Sequence, residues 1–237
     1  MLEPASSAVH VQPRLFVKRI LPFIIVALVG CGAVAGGVAL YRSKRPLSLS
    51  LTSARSTSEN AKLHVRGNDK APVTIEEYGD YECPPCGRLA EPLKQIEHDY
   101  GDKVRLIFHH FPLIVHAHAR DAAQAAEAAG LQKKFWDMHD TLYHEQAIWS
   151  KVPQPRDLFS SYAEKLGLDV EQFKKDIDSE AVKERVAQDQ RDGSKIGVTA
   201  TPTVFVNNKS ISMSGPESPK LIREAVEAAL NPQKPSG

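Results

Sequence analysis

The chain has 237 residues, of which 42% are hydrophobic and 25% are charged, and its formal net charge is +1. A charge this close to zero excludes the strongly basic balance of many nucleic-acid-binding proteins, so no nucleic-acid partner is predicted. Only three cysteines are present, and Cys31 lies far from the other two, which excludes a small fold held together by several disulfides.

Residues 20–41 form a run of 22 residues without a charged side chain, and a polar tail over residues 1–19 precedes it. At about 1.5 Å per residue, a helix of this length spans roughly 33 Å, enough to cross a hydrocarbon core of about 30 Å. The sequence therefore predicts one transmembrane helix that serves as an uncleaved signal anchor. Two alternatives stay open: a signal peptide cleaved near the small residues 33–35, and a lipoprotein signal in which residues 28–31 resemble a lipobox ending at Cys31.

The part of the chain after this segment is expected on the extracytoplasmic side, because all three kinds of export signal deliver it there. Lysine and arginine are nearly balanced on the two sides of the segment, so the positive-inside rule selects no orientation by itself. Residues 42–60 are rich in serine and threonine, which predicts a flexible linker. Residues 61–237 then fit the usual size of one domain.

The domain begins with a strand, a helix and a second strand, predicted over residues 73–78, 84–100 and 103–109. This order and spacing predict that the two strands pair in parallel, and Gly101 is a suitable residue to end the helix. A helical region follows, with helices predicted over 119–131, 133–146, 156–166, 170–177 and 180–196. The last elements are strands over 203–206 and 210–213, joined by a tight turn at Asn207 and Asn208, and a helix over 218–230.

Cys83 and Cys86 enclose two prolines at the predicted start of the first helix, in a C-x-x-C motif. A helix N-terminus favours the thiolate, and cysteines of such motifs have pKa values of about 3.5 to 7.5. Cys83 is expected to be the more exposed, attacking thiol, and Cys86 the buried, resolving thiol. Half of a zinc site or an inert disulfide would be the alternatives, but no second C-x-x-C is present. No metal or cofactor is predicted, and these histidines are expected to be solvated or hydrogen-bonded: His109, His110, His116, His118, His139 and His144.

Four features of the sequence, in this order, resemble the DsbA-like family of thiol:disulfide oxidoreductases in its membrane-anchored form. They are Glu77, six residues before the first cysteine, the motif over residues 80–86, the run over 135–140, and the run over 197–206 around Thr201 and Pro202. The resemblance covers roughly residues 62–229. It implies an α/β protein with a thioredoxin fold and an inserted helical domain, at about residues 114–196, preceded by the transmembrane helix.

The resemblance also implies roles for individual residues. Pro202 is expected to follow a cis peptide bond and to pack against Cys83 and Cys86, where the backbone of Thr201 can pair with a substrate peptide; a strand-start proline is the alternative. Glu77 is expected to be a buried acid that relays a proton to Cys86, with a surface carboxylate as the alternative. Alternation along a strand lets only one of Glu76 and Glu77 lie under the motif.

The predicted function is that of a membrane-tethered oxidase that introduces disulfides into reduced secreted or envelope polypeptides. A quinone-linked thiol oxidase of the membrane would be its recycling partner by resemblance, and the periplasmic side of a cell membrane its location. One alternative is a reductase or isomerase of the same fold, because the two prolines between the cysteines do not select a direction. The other is a noncatalytic module that binds unfolded exported chains.

Overall fold

The computed structural model describes residues 64–213 and 215–232. The predicted tail, transmembrane segment and linker, residues 1–60, lie outside these ranges, as does Cys31. Within the described ranges, none of the helices combines the length and the apolar character that crossing a bilayer would need. The described residues therefore belong to the domain that follows the predicted linker.

The centre of the domain is a five-stranded sheet in the order β1-β3-β2-β4-β5. Strands β2 and β3 pair in parallel, as the strand-helix-strand order predicted, and the other three pairs are antiparallel. The sheet is therefore mixed, and its two central strands are buried along most of their length. The strands are β1 His64–Gly67, β2 Val73–Gly79, β3 Val104–His110, β4 Thr203–Val206 and β5 Lys209–Ile211.

Eight α-helices surround the sheet within the described residues, and most of them were predicted from apolar periodicity. The first and the last of these helices share one hydrophobic core with the sheet, in which Ile75, Leu93 and Ile222 are buried. The six others lie between β3 and β4 in the chain, where the inserted helical domain was predicted. The helices are α1 Pro84–Tyr100, α2 Ala119–Leu131, α3 Phe135–His144, α4 Gln146–Trp149, α5 Arg156–Lys165, α6 Val170–Ile177, α7 Glu180–Lys195 and α8 Ser218–Leu230.

Helix α1 carries the two cysteines, and local residues determine both of its ends. Pro84 and Pro85 occupy its first two positions, where a missing N–H removes no intrahelical hydrogen bond. Gly101 ends it with φ of 51°, a positive value that glycine adopts without steric cost. The predicted helix boundaries are confirmed at both ends, because each depends on residues within one turn.

Helix α2 is rich in alanine, and its buried alanines form part of a second core together with residues of the other inserted helices. Small side chains let neighbouring helices approach closely, and alanine is the strongest helix former. Phe135, Met138 and Trp149 are also buried in this core. The core includes Cys83 and Cys86 as well, so the inserted helices pack directly against the two thiols.

Two parts of the sheet differ from the prediction. Strand β1 was not predicted, because its four residues have no clear alternation and form a strand only by pairing with β3. The predicted return strand over 210–213 is observed at Lys209–Ile211. Asn207 and Asn208 have φ of 44° and 68°, as the predicted tight turn requires, so pairing resumes immediately with Val206 opposite Lys209.

Candidate active site

Cys83 is the N-cap of α1, and Cys86 lies in the first turn of that helix. The backbone N–H of Cys83 donates to the carbonyl oxygen of Asp80 at 3.1 Å, and the N–H of Gly87 donates to the carbonyl oxygen of Cys83 at 3.1 Å. Both cysteines are free thiols, with Cys83 5% exposed and Cys86 fully buried. The order of exposure expected from the sequence is confirmed, although Cys83 also has little contact with solvent.

Thr201 and Pro202 lie against the cysteines from the loop that precedes β4. The peptide bond between them is cis, as the resemblance implied. The Sγ atom of Cys83 lies 3.4 Å from the carbonyl oxygen of Thr201, to which the thiol form of Cys83 donates a hydrogen bond. The fold therefore brings the C-x-x-C motif and the Thr201-Pro202 pair to one site.

The two thiols differ strongly in acidity. A hydrogen bond with Cys86 lowers the pKa of Cys83 to about 6, against the effect of burial, and the side chain of Thr201 contributes to the same shift. Burial raises the pKa of Cys86 well above its usual value, and the neighbouring Cys83 and Glu77 raise it further. At neutral pH, Cys83 is therefore largely a thiolate and Cys86 remains a thiol.

Glu77 lies in β2, and its side chain is 1% exposed. Burial raises its pKa to about 8, and the charge of Cys83 contributes to the shift, which places this carboxyl near the thiols. Its Oε1 atom has no hydrogen-bond partner among the described residues. Glu76 has a different environment, since its Oε2 atom lies 3.5 Å from Nε2 of His109. The surface-carboxylate alternative is therefore wrong, and Glu77 is a buried acid that is protonated at neutral pH.

Two polar side chains that were not predicted as site residues support the turn that carries Cys83. Asp80 is buried, and its Oδ1 atom accepts a hydrogen bond from the N–H of Glu82 at 2.8 Å. Gln146, at the start of α4, donates from Nε2 to the carbonyl oxygens of Tyr81 at 2.6 Å and of Cys83 at 2.9 Å. Asp80 belongs to the motif over residues 80–86, so the sequence could have indicated it as a site residue. Nothing in the sequence around Gln146 indicates that it belongs to the site.

The histidines of the insertion and its neighbouring strands form hydrogen bonds and ion pairs, as expected. His139 is fully enclosed and its Nδ1 atom lies 3.0 Å from the hydroxyl of Tyr81, while His116 contacts Asp80. His109 lies between Glu76 and Asp189. His144 differs from these residues, because its side chain is 84% exposed.

One cluster within the described ranges has the residue types of a metal site, although no metal was predicted. Oε1 of Glu127 lies 2.7 Å from Nε2 of His64 and 2.9 Å from Nε2 of His110. Ligand atoms around a tetrahedral zinc ion lie roughly 3.3 Å apart, so these distances fit hydrogen bonds better than shared coordination. Nε of Arg185 lies 3.8 Å from the same oxygen and already supplies a positive charge. The cluster fits a buried hydrogen-bonded ion-pair network, not a built metal site.

Residues 59–228 match the family model described as thioredoxin. This match covers nearly all of the described domain, including the cysteines, the inserted helices and Pro202. It therefore shows the family to which the domain belongs.

Several solved structures resemble this one over most of their length. Oxidised BdbD from Bacillus subtilis is 30% identical, with a TM-score of 0.62, and the match covers 70% of this chain and 92% of that chain. A thioredoxin-like oxidoreductase from Silicibacter pomeroyi is 27% identical, with a TM-score of 0.59 and coverage of 71% and 92%. DsbA2 from Pseudomonas aeruginosa is 26% identical, with a TM-score of 0.56 and coverage of 74% and 98%.

Curated relatives match over a segment of much longer proteins. The Na(+)/H(+) antiporter NhaA 1 of Mycolicibacterium gilvum is 40% identical over 170 residues, which are 70% of this chain and 26% of that protein. A protein of the same name from Salinispora arenicola is 42% identical over 147 residues, 62% of this chain and 22% of that protein. The chain thus spans about a quarter of the length of these relatives.

Proposed function

The chain belongs to the DsbA-like family of thiol:disulfide oxidoreductases, which has the thioredoxin fold, and from this premise we propose that it is an oxidase that introduces disulfides into reduced secreted or envelope polypeptides. The proposal uses the thiol chemistry of the described domain. Ion transport, which the names of the longer relatives indicate, is not proposed for this domain, because the match covers only 26% of the length of such a relative.

The observation that carries the direction of the reaction is the contrast in acidity between the two cysteines. The pKa of Cys83 is lowered to about 6, which lies between the values of about 7 for thioredoxin and about 3.5 for DsbA. A stabilised thiolate stabilises the reduced form of the pair, and this makes the disulfide form a stronger oxidant. The lowered pKa of Cys83 supports the oxidase direction of the proposal.

The reaction follows from the positions of the two sulfurs. A substrate thiolate attacks Sγ of Cys83 in the Cys83-Cys86 disulfide, and Cys86 leaves and takes up a proton. A second substrate thiolate then attacks the substrate sulfur of the mixed disulfide, and Cys83 leaves as a stable thiolate. The substrate loses two electrons and gains a disulfide, while the pair becomes reduced. Glu77 is the proposed proton donor to Cys86, because it is buried and protonated beneath the motif.

The proposed location is the extracytoplasmic face of a membrane, with the domain tethered through residues 20–41. The uncharged length of that segment supports an anchor, and an oxidase requires a compartment that does not keep thiols reduced. The reduced pair would then be reoxidised by a quinone-linked thiol oxidase of the same membrane. A reporter fused after Gly237 tests the location: activity of an extracytoplasmic reporter is expected, and activity of only a cytoplasmic reporter would contradict it.

The reduction potential of the Cys83-Cys86 pair, together with its redox state in cells, tests the direction. We expect a potential well above the value of about −270 mV of thioredoxin, toward the value of about −120 mV of DsbA, with a mainly oxidised protein. A thioredoxin-like potential with a mainly reduced protein would instead favour a reductase or isomerase. Cys83→Ala separates catalysis from binding, because a noncatalytic binding module would keep its cellular function in this variant.

A further inference from the structure

The turn that carries Cys83 contains a buried carboxylate that opposes the thiolate. Asp80 is 1% exposed, its carbonyl oxygen accepts the N–H of Cys83, and its charge raises the pKa of that cysteine. Two negative charges so close together in a poorly solvated site repel each other. A cation near Asp80 would remove this conflict, yet Pro84 and Pro85, the residues between the cysteines, have no ionisable side chain.

His116 supplies that cation from the loop between β3 and α2. Its Nδ1 atom donates to Oδ2 of Asp80 at 2.7 Å, and the same oxygen accepts the N–H of Leu113 at 2.8 Å. The N–H of His116 also donates to the carbonyl oxygen of Leu113 at 3.1 Å, which closes the turn and holds the ring in place. The ring is partly exposed, so it can exchange protons with solvent.

The charges around His116 favour its protonated form. Partial burial opposes the cation, but the hydrogen bond and charge of Asp80 outweigh it and raise the pKa of His116, and the charges of Cys83 and Glu82 add to the shift. The charged and titratable groups that act on Cys83 include Cys86, Asp80 and Glu77 as well as His116 itself. His116 and the thiolate therefore stabilise each other's charge across Asp80.

We propose that His116 is a positioning residue for the thiol chemistry: as an imidazolium bound to Asp80, it neutralises the carboxylate beside Cys83 and stabilises the reduced form of the Cys83-Cys86 pair. This inference deepens the proposed function and depends on Cys83 and Cys86 being a redox pair. It makes the oxidising strength depend on the protonation of a residue from another part of the chain.

The contribution of His116 to the oxidising strength of the Cys83-Cys86 pair depends on pH. Reduction of the disulfide creates a thiolate at Cys83, so His116 binds its proton more tightly in the reduced protein than in the oxidised protein. The stabilisation is present while the ring is charged and disappears as the pH rises through its pKa. A residue that only maintained the shape of the loop would not show this dependence.

The test is the equilibrium constant for oxidation of glutathione by the full chain and by His116→Gln, at about pH 6, below the usual pKa of histidine, and at about pH 9.5. At the lower pH, where His116 is charged, the variant is expected to be weaker by about threefold to tenfold. At the higher pH, where the ring of the wild-type protein is neutral, the ratio of the two constants should approach one. A ratio that is equal at both pH values would overturn the proposal. His98→Gln, which changes a largely exposed histidine near the far end of α1, is the matched control and should leave the constant unchanged.

A second measurement needs no variant of uncertain stability. NMR titration of His116 in the oxidised and the reduced wild-type protein is expected to show a higher pKa in the reduced form, and equal values would refute the proposal. These results are separable from the proposed direction of the reaction. If the potential of the wild-type pair were like that of thioredoxin, the oxidase assignment would fail, while the difference between the two titrations would still decide the role of His116.

Discussion

The Sγ atom of Cys83 lies 3.4 Å from the carbonyl oxygen of Thr201, although 118 residues separate the two in the chain. The six inserted helices lie between them in the sequence, and strands β2 and β4 bring them together because they are neighbours in the sheet. A substrate peptide that pairs with the backbone at Thr201 would therefore present its sulfur to Cys83.

Replacement of each cysteine by serine should have different consequences. Cys83→Ser removes the attacked sulfur, so disulfide exchange should fall to the uncatalysed rate. Cys86→Ser leaves Cys83 without its resolving thiol, so mixed disulfides with substrates should accumulate. Non-reducing gels and mass spectrometry of the bound chains measure this. The double variant should form none of these mixed disulfides at the site; if it formed them equally, Cys31 would be the reacting thiol.

Glu77→Gln should increase stability in a pH-dependent way. The pKa of Glu77 is raised from 4.5 to about 8, mainly by burial, so the folded state keeps a proton that the unfolded state releases between these pH values. The wild-type protein therefore loses stability as the pH rises from 4.5 to 8, and a neutral amide does not. The difference in free energy of unfolding should grow to on the order of 4 kcal/mol at pH 8.

Urea unfolding of the reduced proteins at several pH values measures this difference. Glu91→Gln, the same change at an exposed position of α1, should show no comparable trend. A constant difference between wild type and Glu77→Gln across the range would show that Glu77 is already ionised in the folded protein. Slower release of Cys86 during disulfide exchange is expected in Glu77→Gln, since the proposed proton donor is lost.

Gly87 and Gln146 should be energetically coupled. A Cβ atom at Gly87 would lie 2.5 Å from Oε1 of Gln146, so Gly87→Ala displaces the side chain that holds Tyr81 and Cys83. Alanine is the better helix former by about 1 kcal/mol. In a Gln146→Ala background, Gly87→Ala should therefore be stabilising by about this amount. In the wild-type background, Gly87→Ala should give no gain in stability or should destabilise the protein.

A double-mutant cycle of thermal or urea unfolding measures the coupling between these two positions. An interaction energy of at least about 1 kcal/mol is expected, because two hydrogen bonds to backbone carbonyls are disturbed. Equal effects of Gly87→Ala on stability in both backgrounds would show that the side chain of Gln146 moves aside without loss of stability.

Glu127→Gln should destabilise the domain at neutral pH. Hydrogen bonds from His110 and His64 outweigh burial and lower the pKa of Glu127 from 4.5 to about 2. The ionised carboxylate therefore stabilises the fold above about pH 4.5, and this contribution of about 3 kcal/mol is lost as the pH falls toward 2. The side chain introduced by Glu127→Gln also carries an NH2 group in place of one carboxylate oxygen, and this donor faces one of the two histidines. The variant should unfold at lower urea concentration than the wild-type protein at pH 7. This difference in urea concentration should become smaller as the pH falls.

The matched control for this change is Glu164→Gln at an exposed position of α5. Zinc titration of the wild-type protein offers an independent check of the cluster. No increase in melting temperature is expected, because Arg185 already lies near the carboxylate; a large increase would show that a metal ion can replace the hydrogen bonds.

Apolar periodicity and turn residues allowed most elements of the domain to be predicted. Helix Pro84–Tyr100 was predicted with both ends, since two prolines begin it and a glycine ends it. The turn at Asn207 and Asn208 was predicted because those residues tolerate positive φ. Strand β1 was missed, since its pairing with β3 is a contact between segments about 40 residues apart.

The sequence by itself determined the chemistry: two thiols at the start of a helix, an acidic residue in the preceding strand, and the order of strands and helices around them. Tertiary structure alone decided how acidic those groups are and which residues surround them. Burial placed Glu77 and Cys86 out of water, and distant segments brought Gln146 and His116 to the turn that carries Cys83. Local patterns encode local backbone preferences, whereas pKa values depend on burial and on charges that only the folded chain brings together.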